Sequence, residues 1–149
     1  MPGFEIRQAS ILDLDSIVPL FDAYRQFYRL PSDPEGARRF LRERFENKES
    51  VIFLALVNGA PAAFTQLYPS FSSASMARIF VLNDLFVCPD ERRQGLGAAL
   101  LTRAAEHGRQ AGAVRLVLST EITNSTAQSL YEKMGWTVDN VFRTYQLKL

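Results

Sequence analysis

Apolar residues recur along this chain with two different periods, and the switches between them lay out its elements. Residues 4–8 read as a short first strand. Ser10 followed three residues later by Asp13 is a helix-start pattern, and Leu14, Ile17, Val18, Phe21, Tyr24 and Tyr28 then fall at helical spacing. Asp33-Pro34 offers a second helix start, with Phe40, Leu41 and Phe45 as its apolar stripe. Residues 51–57 are rich in strand formers, Asn58-Gly59 is a hairpin turn signal, and 61–68 read as the returning strand. A loop is expected over 69–77, then a strand over 79–87 that stops before Pro89. Helical spacing resumes from Gly95 to about Arg109, and Gly108 and Gly112 mark its end. Residues 114–119 predict a strand, Asn124 opens a short helix through Ala127, Leu130, Tyr131 and Met134, and 136–138 and 142–148 are expected as closing strands.

The resulting order, β, α, α, β, β, β, α, β, α, β, β, predicts an α/β mixed sheet with helices on its faces, not a regular doubly wound series. With 149 residues, 47% of them hydrophobic and 22% charged, and no repeat or linker-like shift, residues 1–149 read as one globular domain. Seventeen basic residues nearly cancel sixteen acidic ones, so no overall field favours nucleic acid or an anionic membrane. One cysteine and one histidine cannot build a disulfide framework or a His-based metal centre, so no metal is expected. The first residues show no basic and apolar leader pattern, and the longest apolar run, 51–57, falls far short of the ~20 residues of a membrane span. A cytoplasmic location is expected.

Any anion must therefore be bound locally, and residues 89–99 are built for that. A strand runs into a helix through a turn with Gly95 and Gly97, next to Arg92 and Arg93. First-turn amides of a helix lack intrahelical partners and sit at the positive end of its dipole. Two familiar glycine-loop readings fail here. A phosphate-loop NTPase needs Lys and Ser/Thr after its last glycine, where this chain has Leu and Ala. The dinucleotide fingerprint needs a third small residue where Leu100 stands and an acidic residue near Leu118 and Ser119.

The pattern that is present, Arg92-x-x-Gly95-x-Gly97 after Leu85-Phe86-Val87 and Pro89, resembles the GCN5-related N-acetyltransferase superfamily. A second stretch, Asn124-x-x-Ala127-x-x-Leu130-Tyr131-x-x-Met134-Gly135-Trp136, resembles that family's other signature at the expected distance. The resemblance implies a mostly antiparallel sheet that splays into a V between two parallel strands, with acetyl-CoA in the opening. It implies that Leu85, Phe86 and Val87 line the pantetheine arm, the backbone of Leu85 and Val87 pairing with it as an added strand would. Arg92, Arg93, Gln94, Gly95, Leu96, Gly97 and Ala98 would wrap the pyrophosphate, while Asn124 and Tyr131 approach the cofactor arm and its sulfur. Within the family the nearest likeness is to diamine acetyltransferases and to a branch acting on histones and free D-amino acids. It rests on Tyr24-Arg25-Gln26-Phe27-Tyr28 and Leu82-Asn83-Asp84-Leu85-Phe86-Val87. The position of Asn83 is a glutamate in the diamine enzymes, which argues against polyamines. A homodimer is implied by the family and by the alternation of Phe142, Thr144 and Gln146.

The chemistry then sets requirements. A primary amine with a pKa of about 10.4 needs about 4 kcal/mol to be neutral near physiological pH, so a base or a desolvating pocket must help. Asp84 is the first choice of base, with Glu121 beside the neighbouring strand. A phenol is a weaker acid than the thiol it would create by about 2 kcal/mol, so Tyr131 serves as a partial hydrogen donor to the developing thiolate. Tyr24, Phe27, Tyr28, Tyr68 and Phe71, with Glu121, are expected around the acceptor, a small-molecule or protein amine.

Each feature also has a plainer reading. The glycines could form only a tight turn, Tyr131 could be a packing residue, Asp84 could pair with an arginine and Asn124 could be a simple helix cap. Cys88 reads as a small buried hydrophobe and His107 as a surface residue, while Arg38, Arg39, Arg42 and Arg44 read as a solvated helix face. Beside the transferase stand an acyl-CoA sensor without turnover and a nucleotide-binding domain using the same loop.

Overall fold

The computed structural model describes residues 3–149; residues 1 and 2, part of the stretch read for a leader, lie outside the described residues. The chain divides into two compact units, Met1–Ser119 and Thr120–Leu149.

The first unit holds a five-stranded sheet in the order β1-β2-β3-β4-β5. Its strands are β1 Phe4–Gln8, β2 Val51–Val57, β3 Ala60–Ser72, β4 Ala77–Val87 and β5 Leu116–Val117. The helices are α1 Leu14–Phe27, α2 Pro34–Glu46 and α3 Leu96–Gln110. The first four strands pair antiparallel, whereas β4 and β5 run parallel. This is the mixed α/β architecture expected from the element order.

The run Val-Ile-Phe-Leu-Ala-Leu-Val of β2 is apolar at every position because both faces of the sheet are covered. On one face Ile17, Val18, Phe21, Ala37 and Leu41 of α1 and α2 pack with Ile52, Leu54, Leu56, Phe64 and Phe86. On the other, α3 packs across β2, β3 and β4, and the ring of His107 meets the rings of Phe53 and Phe80 edge-on. His107 is thus half-buried against the sheet, where a surface residue was expected, and burial lowers its pKa. Cys88 packs against the core as a partly buried hydrophobe, as expected.

Two segments of this unit differ from the sequence reading. The segment expected as a loop over 69–77 is mostly strand: β3 continues to Ser72 and β4 begins at Ala77, with Pro69 opposite Phe80 and Phe71 opposite Arg78. Arg78 lays its guanidinium 4.4 Å from the Phe71 ring, a cross-strand contact that favours the extended hairpin. The strand expected over 114–119 shrinks to Leu116–Val117, the two residues in ladder register with Phe80 and Val81, although the Val114 amide also reaches the Arg78 carbonyl at 2.9 Å.

The second unit contains α4, Ser125–Lys133, and then irregular chain. Its C-terminus is closed by Gly135 at φ +94°, a left-handed residue that lets the Trp136 amide bond back to the Tyr131 carbonyl at 2.9 Å. Residues 136–138 and 142–148, expected as strands, have no ladder here. The Asp139 side chain instead accepts from the amides of Val141 and Phe142 at 2.8 and 3.2 Å, the local competition for backbone donors that disfavours strand. Among the described residues no helix is long and apolar enough to cross a membrane.

One polar group fixes the approach of α1 to α2. Asp22 is 7% exposed and accepts from Ser32 Oγ at 2.6 Å, from the Asp33 amide at 2.7 Å and from Gln26 Nε2 at 3.0 Å. Burial alone would raise its pKa, but these donors outweigh it and hold the carboxylate below its usual range. Asp22→Ala strands those donors and is expected to cost about 1–3 kcal/mol in urea unfolding at pH 7. Because the folded-state pKa is lowered, this contribution is present above the unfolded value of about 4. The gap between wild type and variant should therefore close as pH falls below that value.

Candidate active site

Only Phe80 and Val81 of β4 pair with β5, opposite Leu116 and Val117. Beyond Val81 the two parallel strands part, while β4 runs on to Val87 with β3 beside it throughout. Its outer edge over 82–87 therefore has no neighbouring strand among the described residues. An extended ligand can add there as a strand would. Along this stretch Leu82, Asp84 and Phe86 are buried, whereas Leu85 and Val87 are half-buried on the alternate face.

The open edge leads directly to the glycine turn. Cys88 hands its amide to the Ala62 carbonyl at 2.9 Å, a single turn follows over Pro89–Glu91, and α3 starts after Gly95. Arg93 at φ +68° and Gly95 at φ +85° are both left-handed. A side chain at Gly95 would meet nothing within 4 Å, so conformation and not space selects glycine there. Gly95 provides no side-chain cap and the first turn of α3 carries no acidic residue. The first amides of α3 are left for an anion. Leu96 is buried, so its amide alone can take part.

Two polar residues of the turn are held by their neighbours. Arg92 Nε donates to the Val87 carbonyl at 3.0 Å, with its guanidinium 5.9 Å from the Phe86 ring. Gln94 Nε2 donates to Glu91 at 2.6 Å.

On the β3 side of the same strand lies a polar cluster in an otherwise apolar core. The β3–β4 register slips at Gln66 and Leu67, which face Asp84 and Leu82, so Asn83 is the extra residue of a bulge. Asp84, 2% exposed, accepts from Gln66 Nε2 at 2.5 Å and from Asn83 Nδ2 at 2.8 Å. Thr65 Oγ1 donates to the Asp84 carbonyl at 2.8 Å. Tyr24 reaches across from α1, its hydroxyl donating to the Asn83 carbonyl at 3.1 Å and lying within reach of the Asp84 carboxyl. Its ring is 5.2 Å from that of Tyr28. No arginine pairs with Asp84, so the ion-pair reading falls away among the described residues. Burial pushes the Asp84 carboxyl above the carboxylate range, with Gln66, Asn83 and Tyr24 pulling the other way. Burial and the Asp84 charge raise the phenols of Tyr24 and Tyr68 as well, so both stay protonated donors.

Tyr24, Tyr28, Tyr68 and Asp84 are thus brought together. Phe27 stands edge-on to Tyr28 at 5.3 Å but is 46% exposed. Phe71 does not join them: it lies five residues along β3 from Gln66, roughly 16 Å of strand, and is 70% exposed. Gln66 was missed by sequence reasoning. The signal available was Thr65-Gln66, two adjacent polar residues inside an apolar strand.

In the second unit Asn124 caps α4, its side chain accepting the Ala127 amide at 3.1 Å. Glu121 lies half-buried before it, its carbonyl accepting from Gln128 Nε2 at 3.1 Å. The Tyr131 ring sits 6.0 Å from that of Trp136.

The family model described as acetyltransferase (GNAT) family matches residues 17–136. The chain belongs to the GNAT acetyltransferase family. It is 51% identical over 144 residues to the uncharacterized N-acetyltransferase YhfO of Bacillus subtilis (strain 168), covering 97% of each chain. The thialysine N-epsilon-acetyltransferase of Caenorhabditis elegans is 28% identical over 136 residues, covering 91% of this chain and 84% of that one. A crystal structure of a probable acetyltransferase superposes with a TM-score of 0.93 at 44% identity, covering 97% of both chains. The chain is therefore an acetyltransferase, and the nucleotide-binding alternative is set aside by the family.

Asp84 has a raised folded-state pKa, so burying it ionised takes stability away as pH rises from the unfolded value of about 4 through the folded one. Asp84→Asn is neutral throughout and should gain Tm on wild type across that interval, then hold its lead. Calorimetry from pH 4 to 9 tests this; a gap independent of pH would show that Asp84 is not buried as a titrating acid.

Proposed function

We propose that this protein is an N-acetyltransferase moving an acetyl group from acetyl-CoA to a primary amine of a small molecule or protein, with 1–149 acting as one domain. The observation that carries this reading is β4 itself: its unpaired edge runs into the uncapped start of α3, and Asp84 is sealed into the same strand.

The residues present fit the donor. The edge over Leu85, Phe86 and Val87 suits an extended arm, and the amides of Leu96, Gly97 and Ala98 with Arg93 suit a pyrophosphate. Arg92 in this state anchors the turn to Val87. The donor supplies a thioester-activated acetyl group, so that a C–N bond to the amine forms as the C–S bond breaks. Asp84 takes up the proton the ammonium must lose, and burial makes it a better base than an exposed carboxylate. With Asp84 2% exposed, that proton crosses the hydroxyls of Tyr24 and Tyr68 or a bound water. Tyr24, Tyr28 and Tyr68 with Phe27 form an aromatic wall suited to the carbon skeleton of an amine. Asn124 and Tyr131 are assigned from their motif, Asn124 to the donor's arm and Tyr131 as the hydrogen donor to the departing sulfur. Glu121 is assigned to the acceptor from its place in the sequence, just beyond the strand that neighbours β4.

Purified protein should release CoA thiol from acetyl-CoA with one class among polyamines, D- and L-amino acids, aminoglycosides and lysine peptides. Tyr131→Phe is expected to lower kcat about tenfold to a hundredfold with little change in KM. If no amine gives release while acetyl-CoA still raises Tm, the protein is an acyl-CoA sensor and the transferase reading fails.

A further inference from the structure

Gln66 occupies a place where an apolar residue would pack at no polar cost. It lies in β3 with no solvent exposure, between Thr65 and Leu67, which are equally buried. Its Oε1 is sealed from solvent and has no hydrogen-bond partner. A leucine there would bury no orphan oxygen, so what glutamine adds is its N–H, placed 2.5 Å from Asp84 Oδ2. The bulge at Asn83 makes this contact possible, because the register slip sets Gln66 directly opposite Asp84.

We propose that Gln66 is the positioning residue for Asp84: its amide, delivered from the neighbouring strand, fixes the direction of the Asp84 carboxyl and favours its anionic, proton-accepting form. The inference rests on the reading of Asp84 as base. The groups facing Asp84 are few. Asn83 Nδ2 approaches the other oxygen from the same strand but belongs to an exposed residue. Tyr24 from α1, with Tyr28 beside it, and Tyr68 from β3 contribute hydroxyls. Arg44 of α2 acts on Tyr68 and is itself engaged by Glu43 at 3.0 Å and Glu49 at 3.3 Å. Among the described residues Gln66 is thus the one fully buried donor to the carboxyl, and its side chain has no other polar partner there.

The test follows the Asp84 titration by carboxyl 13C NMR and the acidic limb of kcat/KM for CoA release from acetyl-CoA, in the full chain. Gln66→Leu removes a donor that favours the anion, so both signals should move together to higher pH by about one unit, a tenfold loss of kcat/KM below the limb. Gln66→Glu places a second carboxyl against the first, and the pair should share a proton and move the limb at least as far. In the wild-type chain the Gln66 side-chain amide protons should exchange slowly and inflect at the Asp84 pH, a readout that needs no variant to fold. An Asp84 titration unmoved by either variant, or a Gln66 amide that exchanges freely, overturns the proposal. Asp84→Asn separates the two readings: loss of the acidic limb keeps Asp84 as base, whereas an unchanged limb and rate removes that reading and the positioning role with it.

Discussion

Two residues of parallel pairing between β4 and β5 are the constraint from which the site follows. Were the two strands paired along their whole length, the edge of β4 beyond Val81 would be filled by β5. Were they not paired at all, the sheet would lack the parallel fork. Pairing at Phe80 and Val81, with the Val114 amide on the Arg78 carbonyl just before it, holds β5 in the sheet and leaves the backbone after Val81 open. β4 tolerates an open edge because its other side is fully satisfied by β3, the most extensive pairing in the molecule. The opening is also fixed at its far end, since Cys88 bonds to Ala62 and Arg92 to Val87, tying the turn before α3 to the strand.

The same strand carries a destabilising group in its core. A carboxyl 2% exposed and without a cationic partner among the described residues opposes folding whenever it is ionised, and three neutral donors only partly offset that. Asp22 shows the contrast within one chain. It is covered by its neighbours but not set deep in the core, so burial weighs less on it, and its hydroxyl, backbone-amide and side-chain-amide donors win and the pKa falls. One aspartate is a joint between helices; the other is kept in a state where it holds a proton more readily than a surface carboxylate. Such spending of stability is expected of a proton acceptor and not of a packing residue.

Much of this was legible in the sequence, and the remainder was hidden for physical reasons. The periods gave the helices and the strands of the first unit, and the Arg92, Gly95 and Gly97 spacing gave the α3 turn. Strands were expected over 61–68 and 79–87, but their extension to Ser72 and back to Ala77 was missed because Pro69 and the serines around it are turn formers. Cross-strand pairs such as Phe71 with Arg78, which override that propensity, are visible only once the register is known. The strands expected near the C-terminus failed because alternation says nothing about whether a partner edge is present. The Asp84 cluster was half legible: Asp84 and the tyrosines could be chosen by residue type, but Gln66 enters through a register slip that no periodicity encodes.

That slip also explains why a chain with asparagine at position 83 can do without a carboxylate there. A bulge residue is freed from the ladder, so Asn83 can turn its amide onto Asp84 and its carbonyl onto Tyr24 at the same time. A glutamate in its place would set a second negative charge beside a buried one, and mutual repulsion would keep one of the two protonated. Asparagine instead supplies a donor that helps the single carboxylate ionise. The cluster is therefore organised around one titrating acid, served by donors from α1, β3 and β4, at the edge where the sheet opens.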